Sequence, residues 1–91
     1  MKKVNPNNYR IERGSMIDEL YEELEWYASG DGRRLGLVLR DKIDNDYSWV
    51  VLEPDDNNLN RAVDMEVGYV SIDDARADLR GKLHHERNEL L

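Results

Sequence analysis

The sequence predicts an α+β fold in which a C-terminal helix packs on an antiparallel meander of three to four strands, preceded by a short N-terminal helix. Two apolar runs, Leu35–Leu39 and Trp49–Leu52, flank a polar stretch and are bounded by Asp, Asn and Pro. Such runs are typical of the paired strands of a hairpin. Further along, apolar residues recur at spacings of three and four from Ile72, which indicates an amphipathic helix.

The first 14 residues predict a basic arm that is ordered only in part. This segment contains Pro6 and three asparagines, and chain termini of such composition are often poorly fixed. Its charge balance is +3, from Lys2, Lys3, Arg10 and Arg13 against Glu12. Residues 15–91 are then expected to form a single domain, because about 90 residues suffice for one modest core.

The segment after the arm predicts a helix over about residues 16–22 and a first strand over about residues 23–29. Ser15 has the position of an N-cap, with Asp18 three residues later. Around Leu24 the apolar spacing changes from helical to alternating, and Gly30-Asp31-Gly32 then indicates a hairpin turn. An alternative interpretation continues the helix to Ala28, and the sequence leaves both open.

Three further strands are predicted at about residues 33–41, 47–53 and 61–67. Each alternates, so that Leu35, Leu37 and Leu39 share one face of their strand. Pro54 ends the middle one of the three, because proline cannot donate a hydrogen bond to a strand ladder.

A C-terminal helix is predicted over about residues 72–85, with Ser71 as its N-cap. Its apolar stripe is expected to cover one face of the sheet. The stripe consists of Ile72, Ala75, Leu79 and Leu83, and the face consists of Leu35, Leu37, Leu39, Val50, Leu52, Val63 and Met65.

The opposite face of the sheet is too apolar to be simply solvated. It carries Val38, Tyr47, Trp49 and Val51 beside Arg34, Arg40, Asp64 and Glu66. Either the N-terminal helix covers this face, which we favour, or it is a contact surface for a partner or for a second copy of the chain.

The net charge of −7 is concentrated in the middle of the chain, where residues 15–74 hold 16 acidic and five basic side chains. Such a surface repels nucleic acid phosphates and favours basic protein partners. There is no cysteine, and no run approaches the length of about 20 apolar residues that spans a bilayer. With no apolar segment after Met1-Lys2-Lys3 to form a signal peptide, we expect a cytoplasmic protein without a membrane partner.

No catalytic or metal-binding set emerges from the residues. The carboxylates of Asp41, Asp44, Asp46, Asp55 and Asp56 lie in two predicted turns. A calcium loop starting at Asp44 fails, because Trp49 stands where glycine is needed and Asp55 where a bidentate glutamate is needed. These acids are therefore interpreted as turn residues that bind their own backbone.

The histidines, serines and glycines likewise form no catalytic or ligand-binding motif. The adjacent His84 and His85 point in different directions on a helix, and neither has a second ligand nearby. The serines lack a nucleophile motif, and no phosphate-binding glycine loop is present. We therefore expect neither catalysis nor a cofactor or metal.

The function that this favours is a small acidic protein-interaction or regulatory module, acting on a basic protein surface as a monomer or homodimer. In a specific form of this hypothesis the acidic surface imitates nucleic acid, as some phage-borne inhibitors do. The expected contacts are Tyr47, Trp49, Val51, Arg34, Arg40, Asp64 and Glu66, with the acidic turn residues Asp41, Asp44, Asp46, Asp55 and Asp56. The alternative is a nucleic-acid-binding module that uses Tyr47, Trp49, Arg34, Arg40 and the basic arm.

Overall fold

The computed structural model describes residues 1–12 and 19–89 of the chain, with side chains up to His84. These residues form one mixed sheet of six strands that curls into a half-barrel, with a helix at the C-terminal end. The elements are β1 (Lys2–Lys3), a 3₁₀ turn (Pro6–Asn8), β2 (Arg10–Ile11), β3 (Tyr21–Ala28), β4 (Leu35–Asp41), β5 (Tyr47–Pro54), β6 (Leu59–Tyr69) and α1 (Ile72–Glu89).

The strand order in the sheet is β1-β3-β4-β5-β6-β2. Strands β3 to β6 are joined as successive antiparallel hairpins and contain the four predicted strands. The prediction of a simple antiparallel meander is nevertheless wrong. Two further strands come from the N-terminal residues, and β2 runs parallel to β6.

The N-terminal residues connect the two outer edges of the β3–β6 sheet. Lys2 pairs with Ala28 on β3, and Arg10 pairs with Leu59 on β6. In a flat sheet β1 and β2 would lie five strand spacings apart, about 24 Å. Seven residue steps reach about 24 Å only when fully extended, and Pro6–Asn8 form a compact 3₁₀ turn. The sheet must therefore curl for this connection to close.

The predicted N-terminal helix over residues 16–22 is wrong. Tyr21 and Glu22 begin β3 and pair with Asp41 and Arg40 of β4. Residues 16–18 lie outside the described residues, and of the others only Glu19 and Leu20 are helical. The sequence favoured a helix here because Leu20, Tyr21 and Leu24 have helical spacing, but pairing with a strand about 20 residues away overrides that local preference.

The C-terminal helix covers the face of the sheet opposite to the one predicted. Ala75, Leu79 and Leu83 pack on a cluster that includes Val38 and Trp49. We call this side of the sheet the helix face; it comprises Tyr27, Val38, Trp49 and Val51. No N-terminal helix is needed to cover it, because α1 does so.

The other side, which we call the arm face, carries a second buried cluster made of Trp26, Ala28, Leu35, Leu37, Leu39, Val50 and Leu52. Val4, Tyr9, Ile11 and Tyr21 pack against it and are half-buried. The N-terminal segment, predicted as a loose basic arm, thus contributes both edge strands and apolar cover.

A bulge in β3 explains the change of period that the sequence shows at Leu24. The register with β4 shifts between Glu23 and Glu25, so Leu24 is an extra residue in its strand. In a regular strand Leu24 would share a face with Trp26 and Ala28, two and four residues later. Instead it packs with the helix-face cluster, while Trp26 and Ala28 lie on the arm face.

The start of α1 agrees with the predicted cap. The Ser71 hydroxyl accepts hydrogen bonds from the backbone N–H groups of Asp73 and Asp74, at 3.1 and 3.4 Å. The helix runs to Glu89, beyond the predicted end at residue 85. Within the described ranges, no helix combines the length and apolar character needed to cross a membrane.

Candidate interaction surface

The predicted contact face is largely inaccessible, because α1 lies on it. Trp49 and Val51 are each 1% exposed, and Tyr47 is half-buried. Arg34 and Arg40 are also only partly exposed, whereas Asp64 and Glu66 lie on the surface. Only the two acids of the predicted set are therefore freely accessible.

A chain of hydrogen bonds fastens α1 to the sheet at Trp49. The indole Nε1–H donates to the Tyr69 hydroxyl at 2.9 Å, and that hydroxyl donates in turn to the carboxylate of Asp78 on α1. Burial, assisted by the Asp78 carboxylate, raises the pKa of Tyr69 to about 12. Lys82 lies 5.7 Å from the centre of the Trp49 ring, within the range of a cation–π contact.

A second polar link joins α1 to β3. The Arg76 guanidinium donates two hydrogen bonds of 2.8 Å, one to each carboxylate oxygen of Glu25. Tyr27 donates a third hydrogen bond to Glu25 at 2.7 Å. The bond from Arg76 lowers the pKa of Glu25, against the opposing effect of burial. With polar links on both sides of its apolar stripe, α1 acts as a fixed cover of the sheet.

The two arginines predicted as contacts are engaged within the molecule. Arg34 Nε donates to Glu53 at 2.9 Å, and Arg40 forms an ion pair with Glu22 of the neighbouring strand. Their guanidinium groups are therefore not presented together with an open aromatic surface.

The acidic turns show the predicted backbone contacts. The Asp41 carboxylate accepts hydrogen bonds from the N–H groups of Ile43 and Asp44, at 2.7 and 3.1 Å. The Asp55 carboxylate does the same for Asn57 and Leu59, at 2.8 and 3.0 Å, and these backbone bonds lower the pKa of Asp55. The interpretation of Asp41 and Asp55 as turn residues is confirmed.

Four exposed carboxylates in the described part of the chain have no cationic partner there. Asp44, Asp56, Glu66 and Asp74 are exposed and form no ion pair with a described residue. The start of β5 pairs with the end of β6 through Tyr47 and Tyr69, so Asp44 and Asp74 lie at the same end of the sheet. Two carboxylates without an ion pair to a described residue are therefore placed at this end.

The exposure of strand β6 is the feature that sequence reasoning missed. Its residues from Arg61 to Gly68 are exposed, on both faces of the strand. Val63, Met65 and Val67 are 54%, 41% and 57% exposed, so the expectation that α1 covers Val63 and Met65 is wrong. The length of the alternating run was visible in the sequence, but nothing in it showed that this strand lies near an edge.

Clefts, but no cluster of metal-ligating side chains, occur in the described part of the chain. They contain no group of three or more His, Cys, Asp or Glu side chains placed to bind a metal ion. Two open clefts of about 320 and 540 Å³ lie where the N-terminal segment meets the β3–β4 turn. The smaller is lined by polar groups, including Arg10, Arg33 and Asn60, but Arg10 already donates to the Asn57 carbonyl at 2.8 Å.

Comparisons of the chain with protein-family models, curated proteins and solved structures give no match.

Proposed function

We propose that the protein is a small, non-catalytic, cytoplasmic module that binds a basic surface on another protein and so regulates or inhibits it. The observation that carries the proposal is a set of exposed carboxylates that form no ion pair with a described residue, namely Asp44, Asp56, Glu66 and Asp74. Carboxylates paired within the molecule are already satisfied, whereas unpaired ones remain available to lysines and arginines of a partner. The overall charge of −7 adds long-range attraction to such a partner.

The alternative, nucleic-acid binding through Tyr47, Trp49, Arg34 and Arg40, has less support. Stacking of bases requires open aromatic rings, and Trp49 is buried beneath α1. Of the basic N-terminal residues, Lys2 and Lys3 lie in β1 and Arg10 lies in β2, so these three are held in edge strands rather than in a loose arm.

Binding of the protein to immobilised poly-lysine, measured across a salt series, tests the proposal. We expect binding at about 50 mM NaCl that weakens steeply as salt rises, because attraction between exposed charges is screened. The double variant Asp44→Lys/Asp56→Lys should bind much more weakly than Glu12→Lys/Glu22→Lys, which has the same net charge but alters carboxylates paired with Arg61 and Arg40.

Binding that does not change with salt, or an equal loss in the two variants, contradicts the proposal. A labelled single-stranded oligonucleotide tests the alternative in the same buffer. Retarded migration that is lost in Trp49→Ala, measured under conditions where this variant remains folded, would favour the nucleic-acid function instead.

A further inference from the structure

Strand β6 has an outer edge that no described residue pairs with beyond its first two positions. Leu59 and Asn60 pair with β2, and the N–H of Glu12 donates to the Asn60 carbonyl at 2.9 Å. From Arg61 to Tyr69 the described part of the chain supplies no further strand on this side. Every second residue of such an edge presents its N–H and C=O groups outward, ready to pair with another strand.

The side chains along this edge alternate in character. Met65 is paired with Val50 and so lies on the arm-face side, whereas Asp64 and Glu66 are paired with Val51 and Trp49 and lie on the helix-face side. With Val63 and Val67, they give a run of five residues in which apolar and acidic side chains alternate. An added strand would meet apolar groups on one face and carboxylates on the other.

Two bulges limit the regular part of this run. The register with β5 shifts near Val63, and shifts again near Gly68, whose φ is +89°. Such bulges discourage indiscriminate pairing of sheet edges. They leave Asp64–Val67 as a short segment in which a partner strand can pair in one register.

The charges on this edge argue against a second copy of the chain as the occupant. Pairing two β6 strands about a twofold axis at Met65 would place Asp64 opposite Glu66 of the other copy, twice. Like charges directly opposite one another destabilise a strand pair. Asp64 forms an ion pair of 3.5 Å with Lys82 and accepts a hydrogen bond of 2.9 Å from the N–H of Met65, whereas Glu66 forms no ion pair with a described residue. A partner strand with lysine or arginine beside Glu66 would supply the cation that this carboxylate lacks, and a cation beside Asp64 would add to the one that Lys82 provides.

We infer that β6 is a docking edge for an extended segment of a partner protein in which apolar residues alternate with lysine or arginine. The segment adds to the sheet as a seventh strand, with main-chain hydrogen bonds providing affinity and the alternating side chains providing register. This inference rests on the proposed function, since it locates the basic partner on one strand.

A synthetic ten-residue peptide of alternating Lys and Val tests the inference when titrated into the full chain labelled with ¹⁵N. Two control peptides have the same net charge. One has its lysines and valines in separate blocks, and the other keeps the alternating order but carries N-methyl groups on alternate backbone nitrogens. We expect the alternating peptide to bind and to slow hydrogen exchange at alternate amides between Asp64 and Val67. Both controls should bind at least about fivefold more weakly, because they cannot form the same ladder.

Charge-reversed protein variants locate the site. Glu66→Lys should weaken binding of the alternating peptide, while Glu22→Lys, which makes the same charge change on β3 at a carboxylate paired with Arg40, should have a much smaller effect. Equal binding of all three peptides, or equal effects of the two variants, would overturn the docking edge but leave a general attraction to basic surfaces intact. If the wild-type protein also fails to bind poly-lysine, the proposed function itself fails.

Two other occupants of the edge are distinguishable outcomes. If the amides of Asp64–Val67 are protected without peptide and the mass measured by light scattering doubles with concentration, a second copy occupies the edge. If they are protected in a monomer without peptide, the chain's own residues do. Either result overturns the inference, as does failure of the alternating peptide to bind.

Discussion

Gly36 sets the distance between α1 and the sheet. A Cβ atom at this position would lie 2.7 Å from Leu79 Cδ1 and 3.0 Å from Leu83 Cδ1. Both leucines are almost fully buried in the helix-face cluster, so they have little room to move. The glycine is therefore needed for close approach rather than for an unusual backbone angle.

We expect Gly36→Ala to destabilise the protein by about 1–2 kcal/mol, through overpacking beneath the helix. Gly81 provides a matched control, because it lies within α1 and a Cβ there meets nothing within 4 Å. Gly81→Ala should stabilise the protein by up to about 1 kcal/mol, through helix propensity alone. Urea unfolding of both variants measures the difference, and a change of the same sign in both would contradict this account.

The raised pKa of Tyr69 predicts a loss of stability in alkali. Its pKa is raised to about 12 in the folded protein, by burial and by the Asp78 carboxylate, against about 10 for a free tyrosine. Because the unfolded chain loses this proton first, the stabilisation is complete below pH 10 and is lost as the pH rises from about 10 to 12. The unfolding free energy should therefore fall across this window.

Tyr69→Phe removes that titration, so its stability should fall less than that of the wild type between pH 10 and 12. Tyrosinate absorbance would show directly whether one of the five tyrosines titrates late. If all five tyrosines of the native protein have titrated by pH 11, the Tyr69 hydroxyl is not buried. Burial also raises the pKa of Tyr27, so a late titration in the wild type alone would not identify Tyr69. Comparison with Tyr69→Phe identifies it.

At the scale of elements, each face of the sheet has its own cover and its own tryptophan. Trp26 belongs to the arm-face cluster, and the backbone N–H of Val4 donates to its carbonyl at 3.0 Å. Trp49 belongs to the helix-face cluster beneath α1. Single-tryptophan variants, Trp26→Phe and Trp49→Phe, therefore report on the two covers separately.

We expect Ile11→Ala, which trims the arm cover, to cost about 1–2 kcal/mol of stability and to increase acrylamide quenching of Trp26 but not of Trp49. Leu83→Ala, at the far end of the α1 stripe, should have the opposite selectivity. Fluorescence of each folded variant in each single-tryptophan background makes the comparison. Equal changes at both tryptophans would show that the two clusters do not respond independently.

The covers also show where sequence reasoning succeeds and where it fails. Strands β3 to β6 and the start of α1 are predictable, because alternation, turn residues and the Ser71 cap are local signals. The face of the sheet that α1 covers is not predictable. Leu35–Leu39 and Trp49–Leu52 are apolar on both sides of their strands, so α1 could pack on either face. Strands β1 and β2 have two residues each, too few for any periodicity. Similarly, the acids of the candidate surface are visible in the sequence, but its open edge depends on the strand order.

For the whole molecule, the negative charge acts in opposite directions on folding and on binding. A net charge of −7 on 91 residues makes the folded chain repel itself, more than the expanded unfolded chain does. Internal ion pairs such as that between Arg76 and Glu25 offset part of this repulsion. The acids that form no ion pair with a described residue favour association with a basic surface but oppose compactness.

Salt should therefore stabilise the free protein while weakening its binding to poly-lysine or to the alternating peptide. Raising NaCl from about 10 to 150 mM shortens the screening length from about 30 to 8 Å, so the melting temperature should rise over the same range in which the affinity falls. Scanning calorimetry and the binding titrations, in matched buffers, measure the two trends. In Asp44→Lys/Asp56→Lys, whose net charge is less negative by four units, the melting temperature and the affinity should both depend less on salt. If salt lowers the melting temperature, attractive pairs dominate the surface, and the unpaired acids do not set the electrostatics of this protein.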